Sequence, residues 1–261
     1  MAGRTLVRSA IAFLTPPRLS RRHMSEPRLT FGLQGPSRLF DRRTNAIRGD
    51  LADIALAGKM FAPHYAVPVE RMCSVPHALL YYKPDGEAGS ELLLNERFWL
   101  LDVSGSWAWG YCGHDHYVGY VPLAALSDVT SVAPTTPQGD PVEVARSFLE
   151  MPYVWGGRGG SGIDCSGLIQ RALAARGIVA PRDSDMQMKS LGKIIAGDEQ
   201  LERGDLVFLP GHVGIMADGI NLIHANLHHG KTVVEPLKTV AKRYADANDG
   251  VGITARKRIS A

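Results

Sequence analysis

Between residues 77 and 121, short apolar runs alternate with turn residues. Residues 77–83 are followed by Pro84-Asp85-Gly86 and residues 98–103 by Ser104-Gly105-Ser106. Residues 107–112 and 116–121 flank Gly113-His114-Asp115. Runs of this length, rich in aliphatic and aromatic residues and punctuated at regular spacing, predict the strands of a small β-barrel. The pattern breaks at residues 128–139, where Thr, Ser and Pro accumulate without an apolar period, as in an extended linker. Beyond it the period becomes helical. Asp140-Pro141-Val142-Glu143 supplies an N-cap, a proline at the first helical position and a glutamate three residues on, ahead of Ala145, Phe148 and Leu149. A second helix is predicted from Cys165, with Leu168, Ile169, Ala172 and Leu173 at helical spacing and Gly177 at its end. Strands follow at 206–209, 212–216 and 220–225, and Val233-Val234 suggests another. Helices first and antiparallel strands afterwards make this part α+β. The expected organisation is a leader and arm (1–58, partly disordered), a β domain (59–127), a linker (128–139) and an α+β domain (140–261).

Composition narrows the function. The 261 residues are 45% apolar and 21% charged, which supplies core enough for two domains and argues against a disordered or fibrous chain. The net charge of +3 is too small for nucleic acid to be the main partner. Residues 1–24 differ, with five arginines, no acidic residue and an apolar run only from 10 to 14. That run is shorter than the ~7–15 apolar residues of a secretory signal or the ~20 of a membrane span. The segment reads as a disordered leader, or as the result of a start placed upstream of Met24, and the expected location is cytoplasmic. Three widely spaced cysteines, Cys73, Cys112 and Cys165, argue against a disulfide framework and any CxxC site.

Candidate chemistry gathers at Cys165. A glycine-rich stretch leads into Asp164-Cys165-Ser166-Gly167, so the thiol opens a helix. Unpaired N–H groups and the positive end of the helix dipole lie there, and both favour a thiolate with a lowered pKa. A thiolate nucleophile needs a base, and His212 and His224 lie on either side of Ala217-Asp218-Gly219. A two-residue Asp218-Gly219 turn would send the imidazoles to opposite faces of the sheet. A three-residue loop Ala217-Asp218-Gly219, with Gly219 in the left-handed region of a bulge, sets His212 directly opposite His224. In that register one ring hydrogen-bonds the other, so one histidine is the base and the second orients it.

Other patterns read as coincidence. Gly157-Arg158-Gly159-Gly160-Ser161-Gly162 fits the GxGxxG dinucleotide pattern, but little strand precedes it and no alternating β/α series follows. Cys112, His114 and His116 alternate like metal ligands, yet they lack a distant second pair and fall in a turn, so a solvated loop is expected. His228-His229 and Arg42-Arg43 read as solvated surface residues.

Five blocks follow one another in the second domain: Pro152-Tyr153-Val154-Trp155-Gly156-Gly157, Asp164-Cys165-Ser166-Gly167-Leu168, Gly204-Asp205-Leu206-Val207-Phe208, Gly211-His212-Val213-Gly214-Ile215 and Ile223-His224-Ala225. In order and spacing they resemble the NlpC/P60 cysteine peptidases over about residues 140 to 240. Trp107-Ala108-Trp109 and Gly119-Tyr120-Val121-Pro122 resemble a bacterial SH3 domain, and the pairing is similar to γ-D-glutamyl-L-diamino acid endopeptidases. The resemblance implies an SH3-like small β-barrel followed by a papain-like α+β domain, its helices packed on an antiparallel sheet. It implies Cys165 as nucleophile, His212 as general base and His224 as orienting group. It also implies Tyr153, Asp164 and Ser166 near the centre, with Asp164 and Ser166 available to the free amine of an N-terminal L-Ala. The implied partners are peptidoglycan-derived peptides cut at the γ-D-glutamyl–diaminopimelate bond during cell wall recycling. They are short because the SH3 domain narrows the cleft, and no metal or cofactor is required. Two alternatives use the same fold: a non-catalytic peptidoglycan-binding module, and an amidase or acyltransferase that passes a thioester to an acceptor other than water.

Overall fold

A computed structural model describes residues 39–129 and 139–259. The leader at 1–38 and most of the expected linker lie outside the described residues. Residues 40–66 pack as a small unit. Strand β1 (Leu51–Asp53) pairs in parallel with β2 (His64–Ala66), and Ala52, Leu56 and Ala62 are buried together. Arg43, expected in solvent, reaches the second domain and pairs with Asp183 at 2.8 Å and Asp185 at 2.7 Å.

The β domain comprises β3 (Val69–Cys73), β4 (His77–Tyr81), β5 (Ala88–Leu93), β6 (Arg97–Ser104), β7 (Trp107–Cys112), β8 (Val118–Pro122) and β9 (Leu126–Ser127). They form one seven-stranded sheet in the order β5-β4-β8-β7-β6-β3-β9 around Leu80, Leu92, Phe98, Tyr117 and Val121. β5 and β9 are its two edges and do not pair with each other, so the expected barrel does not close. β5 escaped the apolar pattern because its middle reads Gly89-Ser90-Glu91, polar yet fully buried against the second domain. In the turn after β7, Cys112 and Asp115 are buried and His114 half-buried, while His116 is exposed, so the solvated-loop expectation holds only for the end of the turn. The ligand atoms of Cys112, His114 and Asp115 lie within 4.8 Å of one another. Asp115, however, commits one oxygen to Tyr117 N–H at 2.9 Å and the other to Gln170 at 2.7 Å, a structural tie between the domains.

In the second domain, α1 (Pro141–Ser147) and α2 (Cys165–Ala174) begin where the capping pattern places them. Asp140 accepts from Val142 N–H at 2.8 Å and Asp164 from Gly167 N–H at 2.7 Å, each cap contributing about 1 kcal/mol. α1 stops before Phe148 and Leu149. There follow α3 (Ser184–Ser190), β10 (Lys193–Ile194), β11 (Leu206–Leu209), β12 (His212–Met216), β13 (Asn221–Asn226), β14 (Lys231–Pro236), α4 (Leu237–Ala247) and β15 (Ala255–Arg258). The sheet order is β10-β15-β11-β12-β13-β14, all antiparallel. A helix and a strand thus follow the predicted strands, and the expected clean segregation is softened. Both faces of the sheet are covered. Leu206, Phe208, Val213 and Ile215 cluster with Leu168, Ile169 and Leu173 of α2, while Val207, Leu209, Met216 and Leu222 cluster with Val240 of α4. Two-sided burial explains why residues 206–209 are apolar throughout instead of alternating.

The β12–β13 register is Ile215↔Ile223 and Met216↔Leu222, two residues from the one expected. Ala217 N–H bonds Asn221 O, so the loop is Asp218-Gly219-Ile220. Asp218 Oδ1 accepts the N–H groups of Ile220 and Asn221, both at 2.7 Å, and this side chain makes the turn in place of a left-handed Gly219. A slip of two preserves the facing of every side chain, so His212 and His224 still share a face.

Candidate active site

The segment before α2 is fastened to the helix start. Asp164 N–H donates to Gly157 O at 3.1 Å, and Gly156 N–H donates to Asp164 Oδ2 at 2.9 Å. A Cβ on Gly167 would lie 2.3 Å from Gly157 O, so only glycine permits this approach. Cys165 is buried at the first helical position, and the N–H groups of Val213 and Ser166 point at its sulfur. Those N–H groups favour the thiolate, as the helix terminus does. Burial and the neighbouring Asp164 outweigh them and push the thiol up to about 12. The lowered pKa expected from the helix terminus alone is corrected accordingly: the thiol is neutral.

His212 and His224 meet from adjacent strands, His212 Nε2 lying 2.8 Å from His224 Nδ1. Beyond them, His224 Nε2 lies 3.0 Å from Glu235 Oε1, and Arg243 donates to both Glu235 oxygens at 3.1 and 2.6 Å. Burial alone would raise the Glu235 carboxyl, but the hydrogen bonds from Arg243 and His224 prevail and lower it to about 2. As a carboxylate it only accepts. His224 therefore carries its proton on Nε2, its Nδ1 accepts from His212 Nε2–H, and the free lone pair of His212 falls on Nδ1. The tautomers follow from one carboxylate at the end of the chain. Burial, with His224 and Arg243 next, depresses His212 to about 3, and burial depresses His224 to about 4. Tyr244 stacks on the His212 ring at 5.3 Å and 17°. The structure brings Cys165 to the strand that carries His212, through Val213, but forms no hydrogen bond between the sulfur and the imidazole.

The other expected residues divide. Tyr153 is half-buried, and burial followed by Cys165 and Asp164 raises its hydroxyl. Asp164 and Ser166 are occupied by a residue that the sequence did not single out. Arg182, fully buried, donates to Asp164 Oδ1 at 3.0 Å, to Asp164 Oδ2 at 2.5 Å and to Ser166 Oγ at 2.8 Å. With the cap bonds already described, both carboxylate oxygens are taken, so Asp164 is not a free partner for a substrate ammonium. His229 is exposed, as expected, and its ring lies 3.0 Å from Glu235.

Glu235, Arg243, Tyr244 and Arg182 were all missed. Glu235 had a signal: the β13–β14 hairpin pairs His224 with Val233, which puts Glu235 two residues on and on the same face. Arg182 had none, since it arrives on a loop.

Residues 150–247 match the model of the NlpC/P60 family, and residues 80–126 match that of the bacterial dipeptidyl-peptidase SH3 domain. The γ-D-glutamyl-L-lysine dipeptidyl-peptidase of Bacillus cereus is 32% identical over 114 residues, covering 41% of this chain and 34% of the relative. Dipeptidyl-peptidase 6 of Lysinibacillus sphaericus is 36% identical over 96 residues, covering 37% and 35%. The chain thus aligns with about a third of the length of these curated relatives. A solved NlpC/P60 family protein from Bacillus cereus is 25% identical, covers 73% of this chain and 63% of its own, and has a TM-score of 0.41. Residues 150–247 are accordingly an NlpC/P60 domain, preceded by a bacterial SH3 domain of the dipeptidyl-peptidase type.

Proposed function

We propose that this chain is a cysteine peptidase that hydrolyses the γ-D-glutamyl–diamino acid bond of peptidoglycan-derived peptides, with Cys165 as nucleophile, His212 as general base and His224 as its orienting group. The observation that carries the reading is the hydrogen-bonded path from His212 through His224 to Glu235, at 2.8 and 3.0 Å, beside a thiol at a helix start. The path leaves the lone pair on His212 Nδ1, where a base is needed.

With thiol and imidazole both neutral, the proton passes to His212 as the sulfur attacks rather than before. The sulfur bonds to the γ-glutamyl carbonyl carbon, and the oxyanion is met by the backbone N–H of Cys165 itself, the first-turn donor of α2 engaged neither by the Asp164 cap nor by the sulfur. His212 returns the proton to the amine of the diamino acid as the C–N bond breaks, leaving a thioester. A water then gives its proton to His212, attacks the thioester and releases the acid and the thiol. Asp164 and Ser166, engaged by Arg182, hold the helix start in this scheme, and Tyr153 stands beside the sulfur. Recycling of short wall peptides with a free N-terminal L-Ala, in the cytoplasm, is the setting we assign.

One observation favours the non-catalytic binding module instead: the sulfur is buried and neutral. Incubation with L-Ala-γ-D-Glu-meso-diaminopimelate and its N-acetylated copy separates the readings. We expect the wild type to release diaminopimelate from the free-amine peptide and Cys165→Ala to release none. Binding without cleavage by the wild type would replace the peptidase by the module, and equal cleavage of both peptides would remove the requirement for a free amine.

A further inference from the structure

The glycine-rich loop that imitates a dinucleotide site holds an anion after all, and the anion belongs to the β domain. Glu91 of β5 is fully buried. Its Oε2 accepts the backbone N–H groups of Arg158 at 2.8 Å and Gly160 at 2.9 Å, and its Oε1 accepts Ser161 N–H at 3.2 Å. Successive N–H groups in a loop with left-handed glycines, here Gly156 (φ +80°) and Gly159 (φ +109°), form a concavity suited to negative charge. The fit is close: a Cβ on Gly160 would lie 2.5 Å from Glu91 Oε1. Arg158 reinforces the seat, donating to Glu96 Oε2 at 2.6 Å, Glu96 Oε1 at 3.0 Å and Glu91 O at 2.8 Å. Its Nε also reaches Gln170 of α2 at 2.8 Å.

The same loop fixes the start of α2 at its other end, through Gly156 N–H to Asp164 and Asp164 N–H to Gly157 O. A continuous path therefore runs from the Glu91 carboxylate through residues 156–162 to Asp164 and Cys165. We propose that Glu91 is a positioning residue, by which the SH3 domain sets the place of the Cys165 sulfur. The inference rests on the reading of Cys165 as nucleophile. Removing the carboxylate leaves three loop N–H groups without their acceptor. Displacement of a reacting group by about 1 Å costs on the order of 10²-fold in rate, and binding contacts remote from it are spared.

The test uses the full chain with Glu91→Ala and the near-isosteric Glu91→Gln, both checked for folding by circular dichroism. On L-Ala-γ-D-Glu-meso-diaminopimelate, we expect Glu91→Ala to lose kcat by roughly 10–100-fold with KM within about threefold. We expect ~100 mM formate, but not sodium chloride of equal ionic strength, to restore several-fold of it by refilling the nest. Glu91→Gln, keeping one acceptor oxygen, should fall between. The iodoacetamide reaction of Cys165, read by peptide mass, should change in parallel and revert with formate. That arm decides the matter even if the wild type hydrolyses no peptide, in which case only the functional reading fails. A folded Glu91→Ala protein with wild-type kcat and wild-type alkylation rate overturns the proposal. So does a loss that formate leaves untouched in both readouts.

Discussion

Two buried polar networks adjoin Cys165, and they settle their charges in different ways. On the helix side, Arg182 and Asp164 form an ion pair with two contacts, at 3.0 and 2.5 Å, sealed from solvent. On the strand side, His212 and His224 are kept neutral, and the charge is pushed outward to Glu235 and Arg243 near the surface. A buried guanidinium–carboxylate pair has no proton to give, so it can fix a helix start but not take part in proton transfer. A run of neutral imidazoles ended by one carboxylate can accept a proton at one end and stabilise it at the other. In the proposed mechanism, positioning and proton handling are divided between the two sides of the sulfur.

The largest effect is expected on the helix side. Arg182→Met would strand the Asp164 carboxylate in the interior, and breaking a buried pair by removing one partner costs about 3–5 kcal/mol. Urea unfolding should show a loss of that size. A loss under about 1 kcal/mol would mean that water or rearrangement replaces the guanidinium, and the contrast between the two sides would vanish.

The two sides also differ in how far the sequence revealed them. The strand side was legible because strand geometry is periodic: parity alone decides whether His212 and His224 share a face, and an error of two residues in register left that answer intact. The start of α2 was legible from Asp164 and the glycines around it. The SH3 strands with apolar alternation were legible too, whereas β5 was not, because its buried face is polar and made for the loop of the other domain. Arg182, Glu91 and Arg158 act across 12 to 92 residues of chain without any periodic relation to their partners, so no spacing rule reaches them. The thiol illustrates the same limit in energetic form. The helix terminus that lowers its pKa is local and visible in sequence, while the burial that raises it is tertiary.

On the strand side, the effect should be kinetic and smaller in free energy. Glu235→Ala frees His224 to carry its proton on either nitrogen, and in the alternative tautomer His212 Nδ1 carries the proton and is no longer a base. Loss of the tautomer-fixing carboxylate costs about 10⁴-fold where it touches the catalytic imidazole directly. One ring further out, we expect roughly 10–100-fold in kcat, about 1.4–2.7 kcal/mol, with KM little changed. Steady-state kinetics on the diaminopimelate tripeptide measures it. Turnover within twofold of wild type would take Glu235 out of the proton path.

The smallest effect concerns pH, and it reports directly on whether the imidazoles are neutral. In the unfolded chain a histidine titrates near 6.5, whereas His224 in the folded protein is depressed to about 4 and His212 to about 3. Between those values the unfolded state binds more protons, so stability rises with pH there: it is fully present above about 6.5 and drains away as pH falls. Glu235, lowered to about 2, extends the loss below the ordinary glutamate range. Each neutral histidine contributes a slope of up to about 1.4 kcal/mol per pH unit. His224→Gln removes one such group, and between pH 6 and pH 5 the slope should fall by about 1 kcal/mol per unit. Cys165→Ala should leave the slope in that window unchanged, because burial moves the thiol in the opposite direction, up from about 9, and its share of stability is lost only as pH rises above that value. Urea titrations at pH 6.0, 5.5 and 5.0 compare the three proteins. Parallel curves for wild type and His224→Gln would show that His224 is charged in the folded state, and the strand side would then hold a fixed ion pair just as the helix side does.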